Sequence, residues 1–294
     1  MPVVSVPGST TNLGHGFDCL GIALDLANTI TVEPGGDRIR AGTGSDPALE
    51  AMAAAVRSAC AERWRVQLPY FTIAVAGAVP VARGMGSSAT ILVGVAAACA
   101  ALAGRAHDPI ELATIAAAIE GHPDNVAAAA CGGLTIADGS GGQLRIERLE
   151  VPDRLRAVVA IPPWEVKTSE ARRILPDALS RADAVRAWSR TALIVARLAK
   201  GDLDGLRGLF DEAWHERWRS LLNPGVPEVK AAAAQAGALG TIISGSGSTV
   251  LAFATTATAP AVEAAIRVVY HTRGVVGATV LTTGFSNAGA QLIG

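Results

Sequence analysis

At 294 residues, half of them hydrophobic and only 4% aromatic, the chain can bury a sizeable core in one large or two modest domains packed with small aliphatic side chains. Its 25 Lys and Arg nearly balance 26 Asp and Glu. No net field is therefore offered to nucleic acid or an anionic membrane, and a small-molecule partner is expected. The start, MPVVSVPG, has no basic segment followed by a long apolar run, and the Ala-rich apolar run at 91–103 falls short of the length of about 18 residues that a membrane span requires. Cys19, Cys60, Cys99 and Cys131 are scattered, without CxxC or zinc spacing, and read as buried free thiols of a soluble, cytoplasmic protein.

In chain order, residues 3–6 and 28–32 predict short strands, and the glycine-rich stretch between them predicts a loop that Gly14, Gly16 and Gly21 let fold back tightly. Residues 47–64 predict a helix begun by Asp46 and Pro47, 70–75 a strand, 87–102 a helix with small residues on every face, and 109–119 a further helix ending at Glu120. A helix as rich in Ala and Gly as 87–102 belongs in a core. Residues 132–137 and 144–149 then pair as strands around DGSGG. After Pro152 the pattern restarts with a strand at 155–161, helices at 182–199 and 227–236, strands at 241–243 and 250–253 around a Gly-Ser turn, a helix at 259–270 and a strand at 277–281. An α+β chain follows, with domains at 1–150 and 151–294, the second of split βαβ type.

The most informative segment is PVARGMGSSAT, residues 80–90, a glycine-serine turn opening onto an apolar helix. Gly84 and Gly86 lack a Cβ, so backbone N–H groups can approach an anion. Ser87 and Ser88 sit where a helix begins, and its free donors and positive dipole end converge there. There is no Walker sequence. Read alone, such a turn is a capped loop as readily as a phosphate cradle. Three more segments stand in fixed order: VPGSTTNLGHGFDCLGIAL (6–24), EGHPDNVAAAACGGL (120–134) and GTIISGSGSTVLAF (240–253). Pro123 suits the start of a helix, and Asp124 reads as a helix cap as readily as a pocket group.

Together the four segments resemble the GHMP kinases, and the NLGxGFDxLGxAL and EGHPDNVA wording is similar to the homoserine kinase family, over about residues 4–281. The resemblance implies an S5-like N-terminal domain and a ferredoxin-like C-terminal domain with the active site between them. It implies ATP-dependent phosphorylation of L-homoserine, in threonine biosynthesis, with Mg²⁺. By the same resemblance Pro80, Val81, Ala82, Arg83, Gly84, Met85, Gly86, Ser87, Ser88, Ala89 and Thr90 bind nucleotide phosphates, and Ser88 and Glu120 bind the metal. Asn12, Asp18, His122, Asn125, Arg172 and Arg219 form the substrate pocket, with Asp18 on the ammonium and the two arginines on the carboxylate. Arg173 and Arg217 compete for those places. Asn125 stands about where mevalonate kinase has a carboxylate base, and an amide cannot serve as one, so direct attack by the acceptor hydroxyl is implied. SGSGST (244–249) is expected to support the phosphate turn. Ser248 replaces a usual Pro there, which is expected to soften the loop, and His15 is expected to intrude near the substrate. Other amino or sugar alcohols, or a non-catalytic metabolite sensor, are the alternative readings, and a homodimer is left open.

Overall fold

The computed structural model describes residues 1–42, 44–212 and 214–294. β1 (Val3–Asn12) and β2 (Gly16–Pro34) form one long antiparallel hairpin closed through Leu13 to His15. The glycine-rich stretch expected as a loop is therefore strand on both arms. Its pairing shifts register between Pro7 and Ser9 and between Thr11 and Asn12, and such irregularities bend a strand and re-aim its side chains.

Four helices and four more strands complete the first half: β3 (Arg40–Ala41), α1 (Pro47–Trp64), β4 (Phe71–Gly77), α2 (Ser87–Leu102), α3 (Pro109–Glu120), α4 (Asp124–Cys131), β5 (Leu134–Asp138) and β6 (Arg145–Leu149). β2 is the spine of the sheet. β1 runs along one edge, while β4 and β5 share the other, at Asn28 to Pro34 and at Leu20 to Ile22. The helices pack on this sheet through Val4, Val6, Ile30, Ile73, Leu92 and Val95, among others. Thirteen of the 16 residues of α2 are buried. A Cβ added at Gly94 would lie 2.4 Å from Ile30 Cγ1, so the small residues are what lets the helix lie flat on the sheet.

The second half runs β7 (Leu155–Ile161), α5 (Thr168–Arg173), α6 (Arg181–Ala199), α7 (His215–Arg219), α8 (Val226–Gln235), β8 (Gly240–Ile243), β9 (Val250–Thr255), α9 (Ala259–Thr272) and β10 (Thr279–Thr283). Its antiparallel sheet has the order β10-β7-β9-β8, as a split βαβ unit requires. β7 alternates with period two. Val158 and Ala160 meet Val229, Val262 and Ile266 of α8 and α9. Ala157 and Val159 join Leu20, Ile22 and Leu24 of β2 in a core shared by both sheets.

β11 (Gln291–Leu292) then returns to the first sheet, with Val4 opposite Leu292 and Val3 N donating to Gly294 O at 2.8 Å. Residues 151–294 are therefore not one continuous unit, because their last strand completes the sheet of the first half. The four cysteines are free, but only Cys60 and Cys99 are buried, Cys19 and Cys131 being partly exposed. Among the described residues no helix is long and apolar enough to cross a membrane.

Candidate active site

Between the two halves lies a polar cavity of about 100 Å³, walled by β1, β2, the 82–88 turn, the α3–α4 corner, α5, α7 and the β8–β9 turn. The 82–88 turn is fastened from both sides. Ser9 N donates to Met85 O at 3.1 Å, Thr249 N to Arg83 O at 3.2 Å, and Ser244 Oγ to Gly84 O at 2.7 Å. Gly84 and Gly86 both take φ of +71°, and an added Cβ would lie 2.2 Å from Ser244 O and 2.3 Å from Ser9 Oγ respectively. Both positions thus need glycine twice over, for the left-handed backbone and for the close approach.

Gly86 stands at the N-cap of α2 and no side chain caps that end, so the first-turn N–H groups and the positive end of the helix dipole face the cavity. The expected nucleotide residues divide here. Ala82, Arg83, Gly84, Gly86, Ser87 and Ser88 line the cavity; Pro80, Val81, Met85, Ala89 and Thr90 do not. Val81 is exposed, Met85 and Ala89 are buried, and Thr90 donates to Ser87 O and accepts from Asn28 Nδ2.

At the opposite wall α3 ends at Glu120, where Gly121 turns left-handed with φ of +86°. Ser88 Oγ donates to Glu120 Oε2 at 2.6 Å, bringing the two expected metal residues together. His122 Nδ1 donates to Asp124 Oδ1 at 2.9 Å, and its Nε2 lies 3.9 Å from Glu120 Oε1. Burial is the largest influence on this imidazole and opposes its charge. The Asp124 hydrogen bond and the charges of Asp124 and Glu120 outweigh it, so the pKa is raised. Asp124 is buried and also accepts from Asn125 N at 2.8 Å. Asn125 is oriented in turn by Ser9 Oγ, which donates to its Oδ1 at 2.8 Å, and by its own Nδ2 donating to Thr11 Oγ1 at 3.4 Å.

The expected pocket residues converge. Asp18 and Arg172 hold each other in a bidentate pair, Nη1–Oδ2 2.8 Å and Nη2–Oδ1 2.7 Å. Each thus engages the other across the cavity. Arg219 is different. It is buried and donates to Gly245 O at 2.7 Å and weakly to Ala171 O, and no carboxylate pairs with it among the described residues. Burial, and then the charge of Arg172, pushes its pKa down to about 10, leaving it charged at neutral pH. Arg173 and Arg217 are exposed and stand outside the cavity.

Asn12 Nδ2 donates to the same Gly245 O at 3.0 Å, and Asn12 Oδ1 accepts from Asp18 N. One carbonyl of the β8–β9 turn thereby ties both halves together. The turn is not softened by Ser248, which is buried, donates to Trp164 O at 2.6 Å, and accepts at its own carbonyl from Asn223 Nδ2. Hydrogen bonds do here what a proline ring would otherwise do. His15 does not enter this cavity; its Nε2 donates to Asp211 O at 3.0 Å and the ring lines a second, larger space.

Thr11 and Thr168 line the cavity unanticipated, and Gly245 and Ser246, of the turn expected to support the phosphate segment, line it too. Thr11 adjoins Asn12 in the TTNLG wording, and Gly245 and Ser246 lie in a turn already marked by its glycines, so two signals were present; Thr168 carried none. Among the described residues, five other than glycine have positive φ: Asn12, Leu13, Asp18, Arg65 and Ala82. Three of these line the cavity and Leu13 adjoins it. Backbone strain of roughly 1–3 kcal/mol per residue is thus concentrated where function would use it.

Comparison with known proteins gives the family. The family described as GHMP kinases N terminal domain matches residues 49–133, and that described as GHMP kinases C terminal matches residues 194–272. A homoserine kinase of Moorella thermoacetica is 41% identical over 259 residues, covering 86% of this chain and 87% of that protein. One of Microchaete diplosiphon is 37% identical, covering 98% and 96%. The crystal structure of homoserine kinase from Cytophaga hutchinsonii superposes with a TM-score of 0.89 at 28% identity, over 99% of this chain and 97% of that one. With both halves matched, and relatives this similar along nearly its whole length, the chain belongs to the GHMP kinases and, within them, to the homoserine kinase family.

Proposed function

We propose that the cavity transfers the γ-phosphoryl group of ATP to the side-chain hydroxyl of L-homoserine, giving O-phospho-L-homoserine. The observation that carries the acceptor assignment is Arg219, a buried, charged guanidinium that lines the cavity without a carboxylate partner among the described residues. A buried charge left unpaired is costly, and a planar fork suits a carboxylate bidentately. Asp18 and Arg172 are each about one-third exposed, so their pair is partly screened and opens at modest cost. A zwitterion entering between them offers an ammonium to Asp18 and a carboxylate to Arg172 and Arg219, exchanging one set of ion pairs for another.

The 82–88 turn and the start of α2 supply backbone donors for the triphosphate. The oxygens of Ser88 and Glu120, together at one wall, fit Mg²⁺, a hard cation that takes few protein ligands. When bound, that ion screens the phosphate charges. The cavity's carboxylates are all engaged: Asp18 with Arg172, Asp124 with His122 and Asn125, Glu120 with Ser88. Asn125, held by Ser9 and Thr11, is an amide and cannot take the hydroxyl proton. Direct attack therefore fits best, with the chain contributing positioning and charge complementarity.

ADP release measured over homoserine, threonine, serine, mevalonate and galactose tests the reading. Homoserine is expected to give the highest kcat/KM. A higher value for mevalonate or galactose would remove the acceptor assignment, and no turnover with any of them would favour a metabolite sensor.

A further inference from the structure

Both cavity arginines rest on one aromatic ring. Phe17 sits in β2 beside Asp18, with the guanidinium carbon of Arg172 5.6 Å and that of Arg219 5.2 Å from its ring centroid, each over the ring. Both distances fall within the reach of about 6 Å over which a cation is attracted to an aromatic face. The ring is itself braced. Trp214 meets it edge-on, with centroids 4.6 Å apart and an interplanar angle of 75°, and His215 lies at 5.3 Å. His215 is buried and donates through Nε2 to Gly14 O at 2.8 Å. Burial lowers its pKa to about 3, so the brace brings no further positive charge near the arginines.

The two guanidiniums repel, and Arg172 is the strongest charge working against Arg219. A second carboxylate could hold them, but it would also neutralise the field that is to receive an anionic substrate. The negative face of an aromatic ring attracts both cations and occupies none of their N–H donors. Phe17 is not among the residues lining the polar cavity, so it acts on the acceptor only through the arginines.

We infer that Phe17 is a positioning residue that fixes the spacing of Arg172 and Arg219 for the carboxylate of the acceptor. This rests on the reading of the acceptor as an α-amino acid. The test uses the full chain with Phe17 replaced by Leu, by Tyr, and by phenylalanines carrying one, two and three ring fluorines, which keep the shape while weakening the face. Phe17→Leu is expected to raise the KM for homoserine about tenfold, with kcat and the KM for ATP changed less than about threefold. Phe17→Tyr should restore the KM for homoserine, and that KM should climb stepwise with fluorination.

A flat fluorination series overturns the inference even if the Leu variant fails to fold. An equal rise in the KM for homoserine and for ATP, unrescued by Tyr, overturns it too, because that is what general loosening of the fold would give. Arg219→Lys, measured alongside, separates the two claims. If it leaves the KM for homoserine unchanged, the acceptor reading is at fault; if it raises that KM while the Phe17 series is flat, only the role of Phe17 is lost.

Discussion

Two cavities meet at β2 and differ in almost every respect. The larger offers about 720 Å³ between α6 and the Gly14–Leu20 segment, with Leu20, Ile136, Ala192 and Val195 in its wall and Trp188 standing 71% exposed at its rim. The smaller, of about 100 Å³, holds Asp18, Glu120, Asp124, Arg172 and Arg219. Phe17 and Cys19 line the large space while Asp18, with left-handed backbone at φ of +56°, lines the small one. Size and apolar character would pick the first as a binding site. Charge density, strained backbone and a buried cation without a carboxylate partner pick the second, and among the described residues none other than glycine with positive φ lines the first. Chemistry on a phosphorylated substrate needs fixed charge more than room.

The sharpest way to break this comparison is Glu120→Ala, which removes the carboxylate bonded to Ser88. A fall in kcat of about 1000-fold or more, roughly 4 kcal/mol in barrier, is expected with an unchanged melting temperature. Turnover within about threefold of the parent at saturating Mg²⁺ would contradict the polar cavity's role. Next in size is Arg219→Lys. Charge is kept but the planar fork is lost, so the KM for homoserine should rise by about 10- to 100-fold, against less than about threefold for the exposed Arg217→Lys. Steady-state kinetics decide, and the reverse ranking would move the carboxylate site out of the cavity.

The two cavities also hold histidines of opposite behaviour. His122 has a folded pKa raised above the ordinary 6.5. Its contribution to stability is full below pH 6.5 and is lost as the pH rises through the folded value. His215 is lowered from 6.5 to about 3, so its contribution is full above 6.5 and is lost progressively as the pH falls towards 3. Denaturant titrations of His122→Gln should therefore approach the parent's stability as the pH is raised from 6 to 8.5. A gap that widens over that range would contradict the raised pKa. The smallest effect is expected from Trp188→Ala in the large cavity. Its kcat and both KM values should stay within about twofold of the parent, because a largely exposed side chain there touches nothing the reaction uses.

Much of the fold was legible because its signals are local. The limits of α1 and α2 follow from Asp46 with Pro47 and from the Gly86–Ser87 junction, and the restart after Pro152 marks the second sheet. What escaped was set by distant partners. Residues 6–24 look like loop because glycines punctuate them, yet β1 and β2 pair on both sides of the turn with two register shifts, and β5 covers Leu20 to Ile22. α5 and α7, of six and five residues, are too short for periodicity to register, although they carry Arg172 and Arg219. The residue types of the site could be named from motifs, but its geometry could not. The Asp18–Arg172 pair joins positions 154 apart, and the shared Gly245 carbonyl joins Asn12 to a turn 233 residues away.

The central claim is that a zwitterion is held between Asp18 and the two arginines. It is tested most directly by kcat/KM for homoserine against its deaminated and decarboxylated analogues, 4-hydroxybutyrate and 3-aminopropanol. Each analogue strands at least one charge that the pocket is built to pair, at a cost of about 2–5 kcal/mol. Both should therefore fall by roughly 30- to 1000-fold or more. Phosphorylation of either at an efficiency within about threefold of homoserine would contradict the account.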